Sequence, residues 1–262
     1  MTSGNAQGKY AKVNGINMYY EIHGEGKPLV LIHGGGSTFH TTFGRILPLL
    51  AKSYRVIGVE LQAHGHTSDR NAPETFEQDA EDVAELLRQL NITNAYVFGF
   101  SNGGNTAMKL AINHPERVGK LIVASSFYKR EGMHSDFWEF MKGADISHMP
   151  QVYKDEYLKI NPGNTSGLLA MHNNDLMRMQ TFTDWKDADL QSIKAPAFII
   201  AGDKDVMTVE HTVKMHKLIK DSRLAILPAT HGSYMGEIMT PVTDIKPLEG
   251  FVALVNDFLS GE

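Results

Sequence analysis

Short apolar runs alternate along this chain with longer stretches of helical periodicity. Six such runs stand out, at 28–32, 54–59, 95–98, 121–124, 197–201 and 224–227. Glycine follows closely after the runs at 28–32, 95–98 and 197–201. Runs this short and rich in Val, Ile, Leu and Phe are typical of strands buried on both faces of a parallel sheet. We therefore interpret all six as strands.

The intervals between these runs carry helical patterns. In the clearest, 76–90, apolar side chains recur every three or four residues. Thr75 precedes this stretch and Gln78 follows three residues later, which predicts a capping box. Weaker patterns predict further helices over 102–113, from near 208, and over 248–259. Strands that alternate with helices predict an α/β fold with a mostly parallel central sheet.

The N-terminal part follows a different pattern. Two alternating stretches, 10–13 and 18–22, flank Asn14-Gly15. An Asn-Gly pair between such stretches is a strong hairpin signal, because both residues adopt positive φ readily. We expect an antiparallel hairpin at the edge of the sheet.

No strand pattern occurs in the 127–194 segment, which is rich in Met and aromatic residues. A structureless loop of this length would be improbable in a globular domain. We therefore predict a helical lid inserted over the carboxyl edge of the sheet. The predicted organisation is a core domain of 1–126 and 195–262 with a helical cap of 127–194.

The amino-acid composition excludes several classes of function. The 262 residues include no cysteine, which excludes disulfides, thiolate catalysis and cysteine-ligated metal sites. The formal net charge is -5, so no basic excess favours nucleic acid or an anionic membrane surface. No apolar run reaches the ~18 residues that a membrane span needs. We expect a small-molecule substrate as partner, and a monomer or a homodimer.

The sequence does not determine the cellular compartment of the protein. Residues 1–8 are small and polar and lack the pattern of a secretory signal. A soluble, cytoplasmic protein is the default expectation. A leader removed before Ala6-Gln7 would instead imply export.

The first candidate catalytic residue is Ser101, in the motif Gly99-x-Ser101-x-Gly103. An apolar strand enters this motif and a helical pattern leaves it, which is the context of a nucleophile elbow. A sharp strand-to-helix turn strains the backbone at the serine, and glycines on either side avoid steric clashes. The N-terminus of the following helix favours negative charge. The alternative is an ordinary turn whose glycines serve packing alone.

A serine hydroxyl needs a base to remove its proton, and histidine is the usual one. In a strand-turn-helix enzyme of this kind the expected order is serine, acid, histidine. Asp205 follows the apolar run at 197–201, and His231 follows the last predicted strand. Asp203 competes with Asp205, but the three-residue offset from Gly202 favours Asp205, at the far end of the turn. Asp203 has the alternative interpretation of a turn residue that bonds nearby backbone. The alternative for His231 is a histidine on a surface loop.

Acyl transfer also needs donors for the negative carbonyl oxygen. One is expected from the backbone N–H of Asn102, the residue after the nucleophile. The other is expected from the glycine-rich loop at 33–36 (HGGG), with Gly35 preferred and Gly36 in reserve. A phosphate-binding loop is the competing interpretation of these glycines, but the lysine and spacing of a Walker motif are missing.

These motifs together resemble the α/β-hydrolase superfamily over essentially the whole chain. The matching segments are HGGG at 33–36, HGHT at 64–67, GFSNGG at 99–104, AGDKD at 201–205 and ATHG at 229–232. The resemblance is to a lidded bacterial branch of generic hydrolases. Haloalkane dehalogenases and epoxide hydrolases carry Asp at the elbow, where this chain has Ser101.

The resemblance implies a serine hydrolase that forms an acyl-enzyme without a cofactor. The expected substrate is a small to medium carboxylic ester, lactone or thioester. A ligand sensor, or an enzyme for C–C hydrolysis, perhydrolysis or acyl transfer, is the alternative, because the same triad supports all of these. A metal enzyme built on His64, His66 and Asp69 is a further rival. We expect no metal, since no third ligand stands at a strand end.

Overall fold

One sheet of eight strands organises the computed structural model, which describes residues 8–261. Ala6-Gln7, the candidate leader junction, lies outside those residues. The six predicted strands are all present, and the structure lengthens several of them by a few residues. In chain order the strands are β1 (Lys9–Val13), β2 (Ile16–His23), β3 (Lys27–Ile32), β4 (Tyr54–Val59), β5 (Ala95–Phe100), β6 (Val118–Ala124), β7 (Ala197–Lys204) and β8 (Ser222–Thr230).

The strand order in the sheet is β1-β2-β4-β3-β5-β6-β7-β8. β1 pairs antiparallel with β2, and β2 pairs antiparallel with β4. All later neighbours are parallel. Asn14 and Gly15 join β1 to β2 with φ of 40° and 91°. The predicted mostly parallel sheet with an antiparallel N-terminal hairpin is confirmed.

Ten α-helices occur in the described part of the chain. They are α1 (Phe39–Phe43), α2 (Leu47–Leu50), α3 (Phe76–Gln89), α4 (Asn102–Asn113), α5 (Ser135–Gly143), α6 (Gln151–Ile160), α7 (Thr165–Gln180), α8 (Asp187–Gln191), α9 (Val209–Leu218) and α10 (Lys246–Ser260). Within residues 8–261, none of them has both the length and the apolar character needed to cross a bilayer. Sequence patterns missed α1 and α2, which are too short to show helical periodicity.

Alternate residues of the central strands supply two separate cores. Val30 and Val97 point to the face covered by α3, α4 and α9. Leu29, Leu31 and Phe98 point to the opposite face, covered by α1, α2 and α10. Because successive side chains of a strand alternate between faces, an apolar run is required wherever both faces are covered.

Only half of the predicted capping box at α3 forms. The Thr75 hydroxyl accepts the N–H of Gln78 at 3.0 Å. The Gln78 amide, however, donates to the Asp82 carboxylate at 3.0 Å and does not reach back to Thr75. Asp82 also pairs with Arg70, so the side chain of Gln78 joins a polar cluster on α3.

Helices α5 to α8 lie in the 127–194 segment, between β6 and β7. Met149, Tyr157, Leu168 and Met171 form a small apolar cluster there with Ala63 of the core. Helix α8 instead contacts α4 and α9 beneath the sheet. The division into a core and a cap stays a prediction.

The close packing of the elbow gives a stability test. A Cβ on Gly103 would lie 2.2 Å from the carbonyl oxygen of Ile32, a backbone atom that cannot move away cheaply. We expect Gly103→Ala to lower the free energy of unfolding by about 2 to 3 kcal/mol, measured by urea denaturation.

Gly250→Ala is the matched control. Gly250 lies inside α10, and nothing would lie within 4 Å of its Cβ. Alanine there should stabilise the protein by about 0.5–1 kcal/mol, because glycine is a poor helix former. Equal effects of the two substitutions would contradict the tight packing at Gly103.

Candidate active site

Ser101 lies at the sharp turn between β5 and α4. Its φ of 53° and ψ of -125° lie in a backbone region that residues other than glycine rarely adopt. A Cβ on Gly99 would lie 2.1 Å from the carbonyl oxygen of Gly103, so residue 99 must be glycine for the turn to close. The turn leaves the Ser101 side chain on the wall of a cavity.

The structure brings the three predicted catalytic side chains together. His231 Nε2 lies 3.2 Å from Ser101 Oγ, and His231 Nδ1 lies 2.6 Å from Asp205 Oδ1. An ionised carboxylate only accepts, so His231 Nδ1 carries the proton in this pair. His231 Nε2 is then free to accept the proton of the Ser101 hydroxyl.

Asp205 is buried and surrounded by donors. Burial opposes its ionisation, yet the hydrogen bond and charge of His231 outweigh it. The Ser125 hydroxyl donates to Oδ2, and the Gly202 N–H does so at 3.2 Å. These contacts hold the pKa of Asp205 below its ordinary value, so the carboxylate stays charged beside His231.

Ser125 is a functional residue that sequence reasoning missed. It directly follows the last residue of β6 and has a φ of 51°. Its hydroxyl donates to Asp205 and lies 2.7 Å from the Tyr234 hydroxyl. A serine after an apolar run carries no recognisable motif. The one signal that points to it is its place at the end of β6, next to β5 and the elbow. The carboxyl ends of parallel strands meet at the same edge of the sheet.

Asp203 has a different role from Asp205. Its Oδ1 accepts the N–H of Ala229 at 2.9 Å, which joins the end of β7 to β8. The competing assignment of Asp203 as the acid therefore has no contact with His231 to support it.

Two residues that line the cavity have backbone N–H groups without an acceptor. Among residues 8–261, the N–H groups of Gly35 and Asn102 have no hydrogen-bond partner, and both residues line the cavity. The N–H of Gly36 donates to the Asp175 carboxylate, so the reserve candidate is already engaged. Of the three predicted oxyanion donors, Gly35 and Asn102 are therefore the two whose N–H groups are unengaged.

The cavity above Ser101 has a volume of about 290 Å³ and mainly apolar walls. The 127–194 segment supplies most of them, and no Lys or Arg is among the lining residues. The apolar side chains are Phe127, Met133, Phe137, Phe140, Met141, Ala144, Met149, Pro150, Leu176, Met179, Val206 and Met207.

A buried ionic cluster lies beside this cavity, and sequence reasoning missed it. Asp175 and Arg178, one turn apart on α7, form an ion pair. Arg178 also pairs with Asp79 of α3 at 2.7 Å and lies 3.5 Å from Glu74. His64 Nε2 lies 2.9 Å from Asp175. Helical periodicity predicts which residues face the core but does not predict which buried charges pair.

The surroundings of His64 in this cluster favour its doubly protonated form. Its Nδ1 lies 2.7 Å from the Gln62 carbonyl oxygen and its Nε2 lies 2.9 Å from Asp175 Oδ2, two acceptors that suit a ring with a proton on each nitrogen. The Gly36 N–H lies 3.2 Å from Nε2 and donates to the same carboxylate oxygen. Burial disfavours the charge, but the charge and hydrogen bond of Asp175 outweigh it and raise the pKa of His64 to about 9. A raised pKa favours a positive charge on buried His64, next to the glycine-rich loop.

The three candidate metal ligands do not converge. His64 contacts Asp175, whereas His66 Nδ1 lies 3.0 Å from Glu60 and Asp69 accepts from Gln62 at 2.8 Å. Within the range that the structure describes, no group of three or more His, Asp or Glu side chains is placed to hold a metal ion.

The chain is similar in sequence to known hydrolases. A family model described as the α/β-hydrolase fold matches residues 27–155. Pimeloyl-[acyl-carrier protein] methyl ester esterase of Neisseria meningitidis is 26% identical over 258 residues, covering 90% of this chain and 77% of that protein. The human serine hydrolase BPHL is 28% identical over 240 residues, covering 82% and 77%.

Solved structures agree on the fold. A serine hydrolase involved in carbazole degradation superposes with a TM-score of 0.78 at 21% identity, covering 98% of this chain and all of that one. This likeness concerns the fold of the backbone, including the strand order that places the elbow.

The charge on His64 predicts a dependence of stability on pH. Its pKa is about 9 in the folded protein against 6.5 as the ordinary value, so the stabilisation is complete below pH 6.5. It should be lost as the pH rises through about 9. The expected loss is on the order of 3 kcal/mol, measured by urea denaturation at pH 6 to 10.

His64→Asn is the control for this measurement. Glu74, whose pKa burial raises, adds a loss of stability in the same direction, so only the difference between the two proteins reports on His64. Parallel pH profiles for wild type and His64→Asn would contradict the assignment of a protonated His64.

Proposed function

We propose that this chain, which matches a family model of the α/β-hydrolase fold over residues 27–155, is a serine hydrolase that cleaves carboxylic esters through an acyl-enzyme on Ser101. One observation carries the proposal. His231 lies between Ser101 and Asp205 with Nε2 3.2 Å from the serine oxygen and Nδ1 2.6 Å from the carboxylate. This is the arrangement that activates a hydroxyl as a nucleophile.

Acylation begins when Ser101 Oγ attacks the ester carbonyl carbon and His231 Nε2 takes the hydroxyl proton. The imidazolium that forms is stabilised by Asp205, which stays ionised. The negative carbonyl oxygen is bound by the N–H groups of Gly35 and Asn102. His231 then gives its proton to the departing alcohol oxygen, and the C–O bond breaks.

Deacylation repeats these steps with water. His231 removes a proton from the water as its oxygen attacks the acyl carbon, and the same two amides bind the second oxyanion. Collapse returns the proton to Ser101 and releases the acid. The cycle uses the chain's own residues and needs no cofactor.

The cavity supports an uncharged, mainly apolar ester of small to medium size. Its volume of about 290 Å³ is near the lower end of small-molecule sites, and no cationic side chain lines it. The name of the meningococcal relative specifies a methyl ester, which is the same reaction class. Lactones and thioesters present a similar carbonyl and belong to the same proposal.

Removal of the nucleophile or of the base tests the mechanism. We expect Ser101→Ala and His231→Ala each to lower kcat for a p-nitrophenyl ester by ~10⁴-fold or more. The double variant should lose little more, because the two side chains act as one unit. A panel of esters, lactones and thioesters, assayed on the same preparations, defines the substrate class.

His216→Ala serves as the matched control, since His216 bonds Ser222 on the far side of α9 and should leave kcat unchanged. Additive losses in the double variant would mean that Ser101 and His231 act separately. Folded wild-type protein without turnover on the whole panel would favour a ligand sensor that uses the same cavity.

A further inference from the structure

The carboxylate of Asp175 accepts hydrogen bonds from four separate parts of the molecule. Oδ2 accepts from the N–H of Gly36 and, at 2.9 Å, from His64 Nε2. Oδ1 accepts from Arg178 and, at 3.5 Å, from the side-chain amide of Asn102. Asp175 lies on α7, in the 127–194 segment, whereas three of the donors belong to the loop after β3, the loop after β4 and the start of α4.

Two of those donors belong to the two halves of the proposed oxyanion hole. Gly36 adjoins Gly35, and the N–H of Asn102 is the second donor of the hole. A Cβ on Gly35 would lie 2.5 Å from Asn102 Nδ2 and 3.2 Å from Asp175 Oδ2. The side chains of Asn102 and Asp175 therefore lie directly on the glycine loop, and their contact joins it to α4.

The carboxylate is rigidly held. Arg178 anchors it from below, because Arg178 itself pairs with Asp79 on α3 at 2.7 Å. His64, fully buried, holds the other oxygen. A charged acceptor that is held on several sides forms short, strong hydrogen bonds. Such bonds allow the Asp175 carboxylate to fix the positions of its donors.

We propose that Asp175 is a positioning residue that sets the separation of the Gly35 and Asn102 amides, so that helix α7 completes the oxyanion hole. This inference rests on the proposed function. In it the 127–194 segment is part of the catalytic apparatus and does more than cover the cavity. The hole is formed only while α7 is seated on the core.

A purely structural role would make a different prediction. The segment has other bonds to the core, such as the one from Asn161 Nδ2 to the Gly65 carbonyl at 2.7 Å. That bond lies away from the cavity that contains Ser101, among the residues of a separate polar cleft. If Asp175 only fastens the segment, loss of either bond should have similar consequences.

The test compares Asp175→Asn with Asn161→Ala. For a p-nitrophenyl ester we expect Asp175→Asn to lower kcat by ~10- to 100-fold with KM changed less than about threefold. The inhibition constant of an alkyl trifluoromethyl ketone should rise by a similar factor, since its tetrahedral adduct uses the same two amides. Asn161→Ala should leave kcat and the inhibition constant at the wild-type values.

A second variant keeps the test decisive if Asp175→Asn fails to fold. Asn102→Ala removes the other side-chain contact on the glycine loop and leaves the ionic cluster intact. We expect it to lower kcat by ~3- to 10-fold with KM unchanged, and to weaken the trifluoromethyl ketone by the same factor. Thermal unfolding midpoints of all variants show which proteins are folded at the assay temperature.

Several results would overturn the inference. One is a folded Asp175→Asn enzyme with wild-type kcat and ketone affinity. Another is an equal loss in Asp175→Asn and Asn161→Ala. A third, if Asp175→Asn does not fold, is full activity in Asn102→Ala. Wild-type protein that neither hydrolyses esters nor binds the ketone would overturn the proposed function itself, and this inference with it.

Discussion

The backbone of Ser101, held at a φ of 53°, is the constraint on which the site depends. A strand can turn into a helix at a single residue only if the residues two positions before and after it have no side chain to clash. Gly99 and Gly103 meet that condition, because a Cβ on either would lie within 2.2 Å of a backbone oxygen. The close approach of α4 to the end of β3 then places the N–H of Asn102 near the glycine loop. The strain at Ser101 is maintained by the surrounding sheet.

Two buried carboxylates lie on either side of this turn, and their surroundings suit them to different tasks. Asp205 bonds His231, the side chain that must change charge during the reaction, and the contacts with His231, Ser125 and Gly202 hold the pKa of Asp205 below its ordinary value. Asp175 bonds donors that stay as they are, Arg178, a protonated His64 and backbone or amide N–H groups. We propose that Asp205 stabilises the imidazolium of His231 during proton transfer, whereas Asp175 fixes the geometry of the oxyanion hole.

Sequence reasoning located the elbow and the strands because glycine spacing and apolar runs are local consequences of packing. The three-residue offset from Gly202 favoured Asp205 over Asp203. In the structure Asp205 contacts His231, whereas Asp203 accepts from the N–H of Ala229. The same reasoning could not find Ser125, whose importance comes from strand adjacency. Nor could it pair Asp175 with Gly36, 139 positions away, because that contact depends on how α7 sits on the core.

The proposed reaction depends on one hydroxyl made nucleophilic by one imidazole, and a covalent probe measures that reactivity directly. Wild-type protein treated with an alkyl fluorophosphonate should gain the mass of a single adduct, mapped to Ser101 by peptide mass spectrometry. The rate of labelling should fall by ~10³-fold or more in His231→Ala, because the base is missing. Folded wild-type protein that stays unlabelled, or that carries the adduct on another residue, would contradict the account.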